Sequence, residues 1–399
     1  MQIDPRTPNA PVLAGPVNEV SEADADVSQK PVSLAEIALL FLKLGTIAFG
    51  GPAAHIAMME DEFVRRRRWL SRQEFLDRLG ASNLIPGPSS TELAIHIGFN
   101  KRGWPGLIVA GCSFIVPAGV LVSLIAAAYV RYGSLPKVEH ILYAIKPVVI
   151  AVVAQAFWNL GRSAVKSAWL AVIGAVCVIA YFLHARELVL LAAAGIAAAT
   201  PVLIRTRARA AMLLLAPMAA AASKPDAVPF GLTRLFLTFL KISSVLFGSG
   251  YVLLAFLRSD FVEHLHWLTE KQLLDAVAVG QVTPGPVFTT ATFIGYIVGG
   301  TRGAVVATVA VFLPAFILVA ASGPLIPRIR RSAIAGGFLD GVIVASLALM
   351  GVVAWQLGRA AIVNVTTVAI ALISAILLFR FRVNSAWLVI GAALVGWVS

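Results

Sequence analysis

A tripeptide that breaks helices stands twice in this chain, each time inside a long apolar run. Pro86-Gly87-Pro88 lies in Asn83-Leu84-Ile85-Pro86-Gly87-Pro88-Ser89-Ser90-Thr91-Glu92, and Pro284-Gly285-Pro286 lies in Gln281-Val282-Thr283-Pro284-Gly285-Pro286-Val287-Phe288-Thr289-Thr290. The copies are 198 residues apart. Proline removes a backbone donor and clashes with the preceding turn, and glycine adds conformational freedom, so each copy interrupts a helix. Inside a bilayer an interrupted helix is tolerated only where protein or water satisfies the freed backbone groups. Matched breaks in corresponding halves of an apolar chain are the sequence sign of a transport site.

Composition places these breaks in a membrane. Of 399 residues 59% are hydrophobic and 13% charged, with a mean hydropathy of +0.87, against about 25% charged in soluble domains. Apolar runs of spanning length recur to the C-terminus, for example over 107–129 and 342–355. The chain is therefore expected to be an all-α polytopic membrane protein, since a membrane β-barrel would show short alternating segments. The net charge of +12 does not call for nucleic acid, because the cations sit in loops between apolar runs. Cys112 and Cys177 fall within apolar segments and read as small core residues, with no metal or disulfide role. Residues 1–31 are rich in Pro, Asp, Glu, Ser and Ala, carry no signal-peptide pattern, and are expected to be a disordered tail.

The repeat extends well beyond the tripeptide. Lys43 and Lys241, Phe49 and Phe247, Trp69 and Trp267 keep the 198-residue spacing; after the break it becomes 197, for Gly98 and Gly295 and for Trp158 and Trp355. This divides the chain into a tail (1–31), a first transmembrane repeat (32–204), a basic cytoplasmic linker (205–229) and a second repeat (230–399). The loop 60–78 carries six Lys and Arg, including Arg65, Arg66, Arg67 and Arg68, but its counterpart 258–275 carries only Arg258 and Lys271. The positive-inside rule puts these loops on opposite faces. Five crossings per half, with the Pro-Gly-Pro segment re-entrant, leave 20 of the 32 basic residues on one face and 9 on the other. Lys43, Lys146 and Lys241 remain in the membrane. The halves are thus expected to be inverted-topology repeats. This count puts the N-terminal tail outside; it falls inside if 34–59 is a hairpin bent at Gly50-Gly51-Pro52.

Phe-Gly-Gly-Pro (49–52), the basic segment running into Trp69-Leu70, Asn-Leu-Ile-Pro-Gly-Pro (83–88) and Thr-Pro-Gly-Pro (283–286) together resemble the chromate ion transporters, in their long two-domain form. The resemblance covers residues 33–399. It implies a multi-pass inner-membrane protein that exports chromate and confers chromate resistance, with sulfate as a chemically similar ligand. The second half departs from the first in having Phe-Gly-Ser-Gly (247–250), with no counterpart of Pro52, and Gln281 in place of Asn83.

Chromate and sulfate are tetrahedral dianions, so a site must offset two charges with helix N-termini, hydroxyl or amide donors, and cations. A helix restarting after Pro88 would aim the N–H groups of Ser89, Ser90 and Thr91 into the break; one restarting after Pro286 would do so with Phe288, Thr289 and Thr290. The alternative is that both breaks only kink packed helices, with Ser and Thr bonded back to carbonyls. Lys43 and Lys241, at equivalent intramembrane positions, are candidate anion-binding cations or else snorkel or pair locally. Asn83 and Gln281 are candidate amide donors, and Thr283 lies beside the second break. Gly50, Gly51 and Pro52, with Gly248 and Gly250, form a second pair of breaks that either line the same cavity or allow close helix contact. Glu92, absent from the second copy, and His96 are the candidate coupling residues. Trp69, Trp104 and Trp267 read as interfacial residues.

The expected partners are a chromate or sulfate anion and the lipid bilayer, with a homodimer as an open assembly and no cofactor. Sulfate or other oxyanion uptake or exchange fits the same features. A membrane-embedded enzyme fits less well, because no paired carboxylate-histidine motif, His-Glu-x-x-His or Gly-x-Ser-x-Gly pattern occurs, and the lack of a Walker loop argues against ATP as the energy source.

Overall fold

The structure is a computed structural model that describes residues 32–133, 135–183, 185–205, 229–247, 252–381 and 383–398. Every described element is a helix. In the first half these are α1 (Leu34–Ile47), α2 (Gly51–Glu60), α3 (Arg72–Ser82), α4 (Ser89–Tyr132), α5 (Pro136–Ala164), α6 (Ala168–Phe182) and α7 (Glu187–Arg205). The second half repeats the order as α8 (Leu232–Val245), α9 (Leu253–Leu257), α10 (Glu270–Val282), α11 (Thr290–Arg331), α12 (Ala333–Ala361), α13 (Val365–Arg380) and α14 (Ser385–Val398). Four helical stretches among the described residues are long and apolar enough to span a membrane: Ser89–Tyr132, Lys137–Ala164, Val287–Ser322 and Ala333–Ala361.

Each half opens with two hairpins. In the first, α1 descends to a break at Ala48, Phe49 and Gly50, and α2 returns through a π-helical turn over Asp61–Arg66. The return is fixed by Arg67, which bonds Glu36 at the start of α1 (2.6 Å) and Glu62 (2.8 Å), and by Phe41 packed on Phe63 at 5.1 Å. Phe239 on Phe261, at 4.8 Å, repeats the contact in the second half. Residues 34–59 therefore form a hairpin bent at Gly50-Gly51-Pro52 and not a single crossing, which puts both of its ends on one face. Trp69 is buried and stacked on Phe63, not exposed at an interface, whereas Trp104 is exposed. Cys112 is exposed on α4 and Cys177 is buried, both as free thiols.

The second hairpin is built on the Pro-Gly-Pro break. A capping box, Ser71 with Glu74, starts α3; Thr269 with Gln272 does the same for α10. After the break α4 runs to Arg102 and Gly103, whose non-helical backbone turns it back on itself. A Cβ on Gly98 would fall 2.3 Å from the Gly106 carbonyl oxygen, whereas residues eight apart in a straight helix are about 12 Å apart. Gly295 and Gly303 repeat this closure at the Gly299–Gly300 turn, where Thr292 and Thr308 share a hydrogen bond of 2.7 Å. Lys101 lies within electrostatic reach of Glu74 and Arg78, so the short arm 89–101 returns to the face from which α3 entered.

The packing of equivalent helices sets the relation of the halves. Along α5 and α12, Phe157 faces Gly351, Ile150 faces Gly358 and Gly161 faces Leu347, so the two run antiparallel. Helices that are equivalent by repeat yet antiparallel are related by a two-fold axis perpendicular to both. For spanning helices that axis lies in the membrane plane, which is the inverted arrangement. The C-terminal arms are exchanged: α7 and α6 pack on α12, while α14 and α13 pack on α5. At its C-terminal end α7 lies beside Gly337, whereas Phe230 packs on Gly299 at the opposite end of the bundle. The stretch between them, read from sequence as a cytoplasmic linker, falls almost wholly outside the described residues.

Candidate functional site

The two Pro-Gly-Pro breaks are completed by each other's half. Gly87 N–H donates to the Leu246 carbonyl (2.9 Å), and Gly285 N–H donates to the Ala48 carbonyl (3.0 Å). Leu246 and Ala48 are repeat-equivalent, so these are one bond made twice about the two-fold axis. Each Pro-Gly-Pro tip thus meets the first-hairpin tip of the other half. Positive φ at Gly87 (136°) and Gly285 (89°) is what lets the backbone make the turn. Gly285 is also a close approach, with a Cβ there falling 2.6 Å from the Cβ of Ala118 and 3.2 Å from the Gly45 carbonyl.

Chemically the two breaks differ. In the second, Thr283 bonds the Val279 carbonyl (2.9 Å), Thr289 the Pro286 carbonyl (2.8 Å) and Thr290 the Val287 carbonyl (2.8 Å). A 3-10 turn, Val287–Thr289, stands where a helix N-terminus was expected, and it occupies the Thr289 and Thr290 amides. Gln281 and Pro284 are buried around it. This copy takes the helix-kinking form with hydroxyls bonded back.

In the first break α4 starts at Ser89, and Thr91 and Glu92 N–H both bond the Pro88 carbonyl, so the outward-facing amides are those of Ser89 and Ser90 and not Thr91. Thr91 Oγ1, both carboxylate oxygens of Glu92 and His96 Nε2 are buried without a hydrogen-bond partner among the described residues. Glu92 is fully buried and folds back over the turn, its Oε1 only 2.4 Å from where a Cβ on Gly87 would stand. Neither Lys43 nor His96 pairs with it. Buried polar groups without partners are rare and costly, and they concentrate at sites with a ligand or a catalytic task.

His55, which the sequence reading passed over, joins the two breaks. It is buried, with Nδ1 accepting from the Ser90 hydroxyl (3.2 Å) and Nε2 donating to the Ala48 carbonyl (3.0 Å), the same oxygen that takes Gly285 N–H. Its ring also stands edge-on to Phe114 at 5.5 Å. One imidazole therefore links Ser90 in the first break to the anchor of the second. The repeat places Leu253 at its position in the other half, and that asymmetry was readable from the sequence.

The intramembrane lysines do not form a symmetric pair. Lys43 is exposed on the outer side of α1. Lys241 is committed to Asp260 at 2.6 Å; the equivalent acid in the first half, Glu62, is taken by Arg67. Lys146 instead reaches Asp275 at 3.1 Å, and Tyr129 donates to the same carboxylate at 2.9 Å, making a buried charged cluster. Lys166 pairs with Asp340 at 2.6 Å nearer the surface. Gly50, Gly51 and Pro52 form the tip of the first hairpin, with Asn384 against Gly50; Gly248 and Gly250 lie outside the described residues. Asn83, at the end of α3, is exposed to a cavity of about 290 Å³. No group of three or more metal-ligating side chains occurs among the described residues.

Repeat-related, antiparallel halves with helices of membrane-spanning length define a polytopic membrane protein. The Chromate transporter family model matches residues 35–199 and 233–397, and the chain belongs to that family. It is 32% identical over 378 residues to the chromate transport protein of Cupriavidus metallidurans, covering 92% of this chain and 93% of that one. With the chromate transport protein of Pseudomonas aeruginosa it shares 30% identity over 401 residues, 96% of each chain. A probable chromate transport protein of Synechococcus elongatus is 30% identical over 355 residues, 86% of this chain and 89% of that one. No solved structure gives a significant match.

Proposed function

We propose that the protein is a secondary transporter that exports chromate across the inner membrane and so confers chromate resistance. The observation that carries this reading is the match of both halves, over nearly the whole chain, to chromate transport proteins. The first break supplies the chemistry: a helix N-terminus at Ser89 and Ser90 and the Thr91 hydroxyl are donors suited to a tetrahedral oxyanion. The second break serves as scaffold, its hydroxyls being occupied. The face bearing residues 65–68 is cytoplasmic by its excess of arginine. Outward movement of a dianion is driven by an inside-negative potential, at about 2.3 kcal/mol per charge per 100 mV. Glu92, buried without a cation beside it, is the carboxyl suited to exchange a proton as the site opens and closes, since an unpaired buried charge is strongly disfavoured.

The test is radiotracer chromate flux in proteoliposomes at clamped potential, with and without a pH gradient and with sulfate as competitor. Potential-driven chromate efflux, with Glu92→Gln abolishing only the response to the pH gradient, is the expected result. Flux of sulfate without chromate, or no flux of either, would overturn the reading.

A further inference from the structure

A cleft opens beside the first break. Its cavity of about 290 Å³ is lined by Asn83, Ser163, Lys166, Phe247, Val252 and Asp340, among others. Phe247 and Val252 line it from the second half, and Asn83 caps the helix that leads into Pro86-Gly87-Pro88. The mouth is the Lys166–Asp340 ion pair, on the ends of α5 and α12 that lie toward the face of residues 65–68. The pseudo-symmetric position on the other side is not a copy: Tyr143 stands for Asp340, Val363 for Lys166, and Gln281, the equivalent of Asn83, is buried.

Two ion pairs in the same protein show what sort of pair this is. Lys146 and Asp275 are 12% and 0% exposed and take a third partner in Tyr129, which is a structural clamp. The side chains of Lys166 and Asp340 are 60% and 29% exposed. A pair so solvated is held weakly, and a dianion competes with a monovalent carboxylate for the ammonium on charge alone.

We propose that this cleft is an entry site for a doubly charged tetrahedral oxyanion, with Lys166 as its cation, Asn83 as its amide donor and Asp340 as a built-in competitor that the anion displaces. The inference rests on the reading of the protein as an oxyanion transporter. Asp340 then sets selectivity: a single negative charge gains little by displacing a carboxylate, and a dianion gains more.

Initial rates of chromate flux against concentration in proteoliposomes test this. Asp340→Asn is expected to lower KM at least threefold, by freeing Lys166, and to narrow the preference for dianions over nitrate. Lys166→Gln is expected to raise KM about tenfold with little change in kcat, and Lys166→Arg to restore it. Because either variant could disturb folding, Asn83→Cys in a chain whose Cys112 and Cys177 are replaced by serine gives a second measure: chromate is expected to slow its modification by a charged thiol reagent applied from the face of residues 65–68, and sulfate, which cannot oxidise the thiol, to do the same. Wild-type flux with KM unchanged in both charge variants, or labelling that chromate does not slow, overturns the entry site while leaving the transport reading in place. Absence of any oxyanion flux from the wild type overturns the transport reading itself.

Discussion

Replacing His55 by leucine, the residue that the repeat places at the same point of the second half, isolates what joins the two breaks. Leucine fills much of the volume but removes both hydrogen bonds and the edge contact with Phe114. Two net hydrogen bonds at about 1 kcal/mol each and an aromatic contact of about 0.5–1.5 kcal/mol set the scale. The Ala48 carbonyl keeps its bond from Gly285 and adds no orphan penalty, so the expected loss is about 2.5–3.5 kcal/mol of stability. Ser90 loses its acceptor and its hydroxyl becomes free to rotate. A tenfold rise in KM, about 1.4 kcal/mol, is expected for chromate flux in proteoliposomes. His55→Gln, which can still donate to Ala48, is expected to recover part of both losses. Unfolding in detergent by denaturant gives the first quantity and flux kinetics the second. If His55→Leu changed neither, or if His55→Gln were equally damaging, the imidazole would be packing alone and the link between the breaks would have no functional weight.

Gly285→Ala is expected to destabilise by about 2–5 kcal/mol, from left-handed strain and overpacking against Ala118. Gly103→Ala, at φ 58° and ψ −141° with open space around it, should cost about 1–3 kcal/mol from backbone strain alone, and unfolding midpoints of the two variants compare them. Lys146→Ala strands buried Asp275 and is expected to cost about 3–5 kcal/mol, against about 1 kcal/mol or less for the more exposed Lys166→Ala; equal losses would contradict the burial difference. For topology, cysteines at Arg66 and Asn100 are expected to label from one face and a cysteine at Gly300 from the other, with any other pattern refuting the inverted arrangement.

Much of the fold is legible in the amino-acid sequence. The 198-residue spacing gave the two halves, and the imbalance of arginine between 60–78 and 258–275 gave their inversion, because membrane insertion is biased by local charge. What the sequence could not supply was pairing across the halves. Whether 34–59 crosses or turns back depends on Arg67 finding Glu36, a contact 31 residues long that no periodicity records. The lysines misled for a related reason: equivalence in sequence suggests equivalence in environment, yet Asp260 claims Lys241 while Arg67 claims the matching Glu62. His55 was legible as a histidine whose counterpart is leucine, but its importance comes from lying within reach of both Ser90 and Ala48. For Glu92 the sequence signal was its absence from the second copy, and the structure adds that its oxygens are unpartnered.

The reciprocal bonds from Gly87 to Leu246 and from Gly285 to Ala48 also impose an order on biosynthesis. When the ribosome has finished the first half, the amide of Gly87 has no carbonyl to meet, because Leu246 has yet to be made. The first tip stays unfinished in the membrane while the 159 residues that follow Gly87, up to Leu246, are translated and inserted, and closes only when the second half begins to arrive. A quality-control protease would therefore find its opening in the newborn protein at the first Pro-Gly-Pro tip, and a nonsense mutation ahead of Leu246 would leave the early half intact in sequence yet unable to close.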